Sequence, residues 1–180
     1  MRLNSANKMK RILLLFIVLA SSHGLFAQQI DEGDSRAMIQ ANFIYQFAVN
    51  SNWPIEMKKG KFLIVVYGND AVFKHVVEKY GMKPVGAQTI EVQSWADYKP
   101  GVGSHIVFVD KSKKADLAKI MKEVKGKSTL VVTNWEGALG SGAAINFKTV
   151  DNSIRYELSE AALSEKKITP GNKILQWKVQ

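Results

Sequence analysis

The stretch "KFLIVVYG" (residues 61–68) decides the fold: six consecutive apolar side chains stand between Lys61 and Gly68, with no alternation of polar and apolar positions. A run this short, rich in β-branched residues, reads as a strand buried on both faces, and such strands occur where helices cover both sides of a sheet. Two further runs repeat the pattern, "HIVFVD" (105–110) and "STLVVTN" (128–134). Between the first two, Asn69 or Asp70 starts a helix carrying Val72, Phe73, Val76, Val77 and Tyr80 and closed by Gly81. "QTIEVQSW" (88–95) then alternates like a half-exposed strand. "KKADLAKIMKEVKGK" (113–127) places Leu117, Ile120, Met121 and Val124 at helical spacing, with lysines outside. The order strand, helix, strand, strand, helix, strand predicts α/β crossover units: a three-layer fold with a largely parallel or mixed sheet flanked by helices.

Outward from this centre the pattern changes. "WEGALGSG" (135–142) is a glycine-rich loop; "AAINFKTV" (143–150) and "SIRYELS" (153–159) read as a strand pair joined by a turn at Asp151-Asn152. Two short helical pieces follow, the second expected to begin at Thr169-Pro170, an N-cap and first-turn pair. At the other end, Lys8, Lys10 and Arg11 precede the apolar "ILLLFIVLA" (12–20), and "SSHGLFA" leads to an expected cleavage after Ala27. The apolar run falls short of the roughly 20 residues a bilayer span needs. Residues 1–27 are therefore read as a signal peptide and 28–180 as a single domain. The polar "QQIDEGDSR" (28–36) leads to a first helix capped by Asp34 or Ser35.

The whole chain carries a formal charge of +9, which falls to +5 without the four basic residues of the leader. An exported protein does not ordinarily meet chromosomal DNA, so no nucleic-acid partner is expected; the charge serves solubility, an acidic partner surface or an anionic envelope polymer. The chain has no cysteine. That excludes a lipoprotein anchor and disulfides, leaving packing to supply stability.

One helix is unusual. In "ANFIYQFAVNSNWP" (41–54) two phenylalanines and a tyrosine fall within five residues, and no charged side chain occurs from 37 to 55. Steps of 100° put Ile39, Phe43 and Phe47 on one face with Ile44 and Ala48 beside it, while Met38 and Tyr45 lie nearly opposite. Pro54 biases Trp53 away from helical geometry, so the helix ends before it. A helix apolar on two sides is covered on two sides: by the sheet and the C-terminal pieces, or on one side by a partner anchored on residues such as Tyr45 and Trp53.

The chemistry-bearing motifs are sparse. "GALGSG" (137–142) is followed by a strand rather than the helix N-terminus a phosphate loop needs, and the Walker lysine is missing. His75 and His105 have no second ligand at metal spacing, so no metal or cofactor is expected, and His105 reads as a structural histidine. Ser141 lacks the nucleophile-elbow pattern. Asp70, Asp110, Glu136 and Asp151 stand at element ends, where carboxylates serve as caps or turns. Trp135, Glu136, Gly137 and Gly142 follow a buried strand, where α/β folds place a ligand crevice.

Together these motifs resemble the YfiR-like family of exported bacterial domains. Ala41, Phe43, Ile44, Tyr45, Phe47, Ala48, Trp53 and Pro54 fit its helix and Trp-Pro pattern, with Gln46 where the family has Asn. Gly142, Ile145, Asn146, Phe147, Arg155, Tyr156 and Glu157 fit its second motif, and Ser159 departs from it. The resemblance implies a periplasmic α/β domain, often a homodimer, acting by protein contact rather than catalysis. It implies as partners a membrane-bound signalling protein, of diguanylate cyclase type in cyclic-di-GMP signalling or of sensor-kinase type, and an outer-membrane lipoprotein. Phe43, Tyr45, Phe47, Trp53 and Pro54 would form or support the contact, with Asn146, Arg155 and Glu157 structural. A small-ligand sensor using the crevice is the alternative, and an envelope hydrolase a weaker third.

Overall fold

A computed structural model describes residues 31–99 and 101–179; the leader expected at 1–27 lies outside them. The chain runs α1 (Glu32–Asn50), β1 (Ser51–Asn52), β2 (Phe62–Tyr67), α2 (Asp70–Tyr80), β3 (Pro84–Val85), β4 (Gln88–Ser94) and β5 (Ile106–Val109). It continues with α3 (Leu117–Glu123), β6 (Leu130–Thr133), β7 (Ile145–Val150), β8 (Ser153–Leu158), α4 (Glu160–Glu165), β9 (Thr169–Pro170) and α5 (Asn172–Trp177). Seven strands form one mixed sheet in the order β3-β4-β2-β5-β6-β7-β8; β4 to β7 are parallel, and β3 and β8 close the edges antiparallel.

The three apolar runs are the three central neighbours β2, β5 and β6, and their side chains alternate between two cores. Phe62, Ile64, Val66, Ile106, Phe108, Leu130 and Val132 face α1, α2 and the C-terminal helices. Leu63, Val65, Val107, Val109 and Val131 face α3 and Tyr98. From β2 the chain steps one way to β4 through α2, and later the other way from β5 to β6 through α3. Right-handed crossovers in opposite directions put their helices on opposite faces, which produces the three layers.

Local chemistry sets most boundaries. Asn69 caps α2 by accepting from the Val72 amide, and Ser159 caps α4 by accepting from Ala162. The β7–β8 hairpin turns on Asp151 and Asn152, both at positive φ (48° and 58°), as a two-residue turn matched to strand twist requires.

Four expectations are corrected. α1 starts at Glu32, ahead of Asp34 and Ser35, and Asp34 instead reaches His75, with Oδ1 2.8 Å from Nε2. The buried face of α1 runs through Ala37, Gln40, Ala41, Phe43, Ile44, Phe47 and Ala48, whereas Ile39, expected on the face of Phe43 and Phe47, is 38% exposed. Lys111–Asp116 winds as a 3-10 turn, shortening α3 to two turns. Thr169–Pro170 pairs antiparallel with Ser51–Asn52, and α5 begins two residues later behind Gly171.

Candidate functional site

The strand order reverses direction at β2, whose neighbours are β4 and β5. At such a switch point the loops leaving two adjacent parallel strands diverge, opening a crevice beyond their carboxyl ends. Here the crevice has a volume of about 590 Å³. Asn69 after β2, Asp110 and Lys111 after β5, and Asn134, Trp135 and Glu136 after β6 line one side. α1 supplies Gly33, Arg36, Ala37 and Gln40, and the β7–β8 hairpin supplies Asn146, Phe147, Lys148, Thr149 and Ile154.

Asp110 organises the strand ends. Its Oδ2 accepts from Asn69 Nδ2 at 3.0 Å and Asn134 Nδ2 at 2.7 Å, and its Oδ1 from the Ser112 amide at 2.9 Å. Burial by itself would push the carboxyl up, but the bonds from Ser112, Asn69 and Asn134 outweigh it and hold the group below the ordinary carboxylate range. Asn134 Oδ1 in turn accepts the Lys111 amide at 2.6 Å. One charged group thus ties the ends of β2, β5 and β6 together.

A second knot lies beside it. Asn146, fully buried, accepts from Thr133 Oγ1 at 2.9 Å and from the Trp135 amide at 3.0 Å, and donates to Glu157 Oε1 at 2.9 Å. Glu157 Oε2 reaches Lys148 Nζ at 3.1 Å. Arg36 closes the rim: its Nη1 donates to Thr149 Oγ1 at 2.9 Å, and its Nε and Nη2 hold Glu32.

The residues singled out from sequence separate into groups. Trp135 and Glu136 line the crevice; Gly137 and Gly142 do not. Gly142 sits at φ 99° at the end of a 3-10 turn, where a Cβ would meet Met121 Cε at 2.8 Å. Asn146 and Glu157 belong to the second knot, whereas Arg155 is exposed on β8 opposite Lys148. Phe43 and Phe47 are buried against Phe147 and Tyr156. Trp53 is buried on Phe62 and His105, with its indole N–H donating to the Ala48 carbonyl at 3.0 Å, and Pro54 follows it half-buried. Tyr45 is only half-buried, stacked on Tyr80 at 4.5 Å, with Lys83 Nζ over both rings. Sequence reasoning passed over Arg36, Gln40, Asn69, Asn134, Lys111 and Lys148 as lining residues. The available signal was the polar residue within two positions of the end of each buried run: Asn69, Asp110 and Asn134.

His105 is held structurally: Nδ1 accepts the Leu63 amide at 3.1 Å, which places the ring proton on Nε2 to donate to the Met57 carbonyl at 2.7 Å. Burial pushes its pKa down, against a smaller opposing effect of the Met57 carbonyl. Among the described residues no group of His, Asp or Glu is gathered to hold a metal ion, and no helix is long and apolar enough to cross a membrane.

No curated protein matches the chain. A family described as YfiR/HmsC-like matches residues 37–177, from the first core residue of α1 to the last residue of α5. That family is known for periplasmic regulators of signalling proteins. The match takes in the α1 aromatics, the Trp-Pro stop and the Asn146–Glu157 knot. The chain is a member of the YfiR/HmsC-like family.

Proposed function

We propose that the protein is an exported, non-catalytic regulator that docks on the periplasmic part of a membrane signalling protein of diguanylate cyclase or sensor-kinase type. The observation that carries this reading is an apolar strip left in solvent along the seam of α1 and α2. The two helices are pinned side by side by Asp34 to His75, by Tyr80 Oη donating to Asn42 Oδ1 at 3.1 Å, and by the Tyr45–Tyr80 stack. Along that seam Met38 is 39% exposed, Val49 38%, Val77 41% and Met82, just past α2, 79%.

Two half-buried tyrosines at the centre of exposed aliphatic groups have the composition of an interface anchor, and such a patch is a liability in water unless something covers it. Phe43, Phe47 and Trp53 support the strip from within, since they fix α1 on the sheet. The family's association with signalling proteins supplies the class of partner; a second copy of the chain and an outer-membrane lipoprotein are the other occupants to test.

Photo-crosslinking in living cells tests the reading, with the probe at Tyr45 or Met82 and a control at exposed Lys122. The expected product at both strip positions, and not at Lys122, is one membrane signalling protein, and the Met82 product is lost in a Tyr45→Asp background that remains folded. Products containing only this chain would replace the reading with a homodimer.

A further inference from the structure

We propose that the crevice at the carboxyl end of the sheet binds a small organic anion, with its acidic group against Arg36 and Lys111 and a neutral polar part hydrogen-bonded to Gln40. This goes beyond the docking strip and does not depend on it.

The argument begins at Gln40. It projects from the buried arc of α1, is only 8% exposed and lines the crevice. Among the described residues its side-chain amide has no hydrogen-bond partner, although Asn69, Asn134 and Asn146 around the same crevice are all engaged. Nor is the amide sealed off: the fully buried side-chain atoms without partners are His75 Nδ1 and Ser104 Oγ, among the described residues. The group is therefore open toward the cavity, with both a donor and an acceptor free.

The charges select the class of ligand. Asp110 is turned inward, its oxygens accepting from Ser112, Asn69 and Asn134. Lys148 is held by Glu157, and three N–H bonds of Arg36 go to Glu32 and Thr149, leaving two of its five donors. Lys111 is exposed and forms no ion pair among the described residues. Three basic residues and two acidic ones line the space, but Glu32 and Glu157 offset Arg36 and Lys148, so with Asp110 turned inward the groups left to a ligand are Lys111, the two remaining Arg36 donors and Glu136 on the rim. Trp135 and Phe147 supply apolar wall. About 590 Å³ suits a molecule of metabolite size, and a few convergent polar groups on a part-aromatic lining are the usual make-up of such sites.

The experiment uses the mature chain with three sets of probes: small carboxylates, phosphate monoesters with inorganic phosphate as their control, and primary amines without an acid group. Thermal melting and ¹⁵N-detected titration of side-chain amides report binding. A saturable rise in Tm with a carboxylate or a phosphate monoester, accompanied by movement of the Gln40 amide resonance, is the expected result, and the set that responds identifies the acid. Gln40→Met should leave the unliganded Tm unchanged or higher while weakening binding at least tenfold. Lys111→Glu, a surface change that leaves the fold alone, should weaken it comparably. Saturation by amines alone, no response to any set at millimolar concentration, or binding unaffected by Lys111→Glu would overturn the proposal. A Gln40→Met chain that melts well below the parent would assign the amide to the fold and overturn Gln40's part in it.

Discussion

Asn146 carries more of this protein than its size suggests. With no exposure to solvent, it satisfies the Trp135 amide, the Thr133 hydroxyl and the Glu157 carboxylate together, welding the end of β6 to the β7–β8 hairpin. Replacing it by alanine orphans the buried Trp135 amide, at about 1–3 kcal/mol, and removes bonds to the Thr133 hydroxyl and the Glu157 carboxylate, about 0.5–1.5 and 1.5–3 kcal/mol. Asn146→Ala should therefore lose roughly 3 kcal/mol or more in urea unfolding, whereas Arg155→Ala, at an exposed position on the next strand, should change stability by no more than about 0.5 kcal/mol. His105 makes a prediction in pH. Burial depresses its folded-state pKa, so the unfolded chain takes up the proton first. Its contribution is present above the ordinary value near 6.5 and is lost as pH falls from there toward the depressed folded value. Unfolding free energies at about pH 7.5 and about pH 5.5 should differ in that direction, and His105→Gln should flatten the difference. An unchanged slope in the variant would remove His105 as its source.

At the scale of elements, the hairpin and α5 behave differently. The β7–β8 turn is set by two residues already tolerant of left-handed backbone, Asp151 and Asn152. Replacing them with Asn-Gly, the pair best suited to that turn, should raise Tm slightly, by the equivalent of about 0.5 kcal/mol, without altering the site. By contrast α5 is short and is held from outside. The Tyr156 hydroxyl donates to the Ile174 carbonyl at 2.7 Å, the Val179 amide reaches the Tyr156 carbonyl, and Trp177 meets Phe43 edge-on. Burial pushes the Tyr156 pKa up to about 12, so this anchor stays a hydrogen-bond donor at any physiological pH. The same dependence explains why Thr169-Pro170 failed as a helix start. Its cap-forming chemistry lost to a pairing with Ser51–Asn52, which lie far away in the chain.

For the whole molecule, the two cores divide the labour. The α1 side is roofed by aromatic groups from four separate elements, Phe43 and Phe47, Phe147, Tyr156 and Trp177, while aliphatic contacts dominate the α3 side. A chain ending at residue 170 would remove one edge of that roof and expose Phe43 and Tyr156. It should lose about 3 kcal/mol or more, counting the buried Ile174 side chain and the released Tyr156 hydroxyl. It should also bind a hydrophobic dye more strongly than the full chain does. A cooperative transition at unchanged Tm would mean that α5 is an appendage rather than part of the core. The roof explains the charge-free part of α1 from Ala37 to Asn50: the sheet and the C-terminal segment cover most of it, leaving Met38, Ile39 and Val49 in water.

Strand identity, the alternation of α and β, the hairpin turn and the family motifs were legible residue by residue, because burial period, cap chemistry and positive-φ tolerance act over a few positions. Three buried runs sufficed to require helices on both faces of a sheet. The strand order was beyond that reasoning: nothing within β4 says that it pairs outside β2 while β5 pairs inside, yet that choice creates the switch point and so the crevice. Gly137 and Gly142 were placed at the site for standing after a buried strand, but the loop folds them away from it. Gln40 and Arg36, some hundred residues from Asn134, reach the crevice because α1 packs across the ends of strands made much later in the chain. Pairing and packing between distant segments depend on the free energy of the assembled core, which no local window contains.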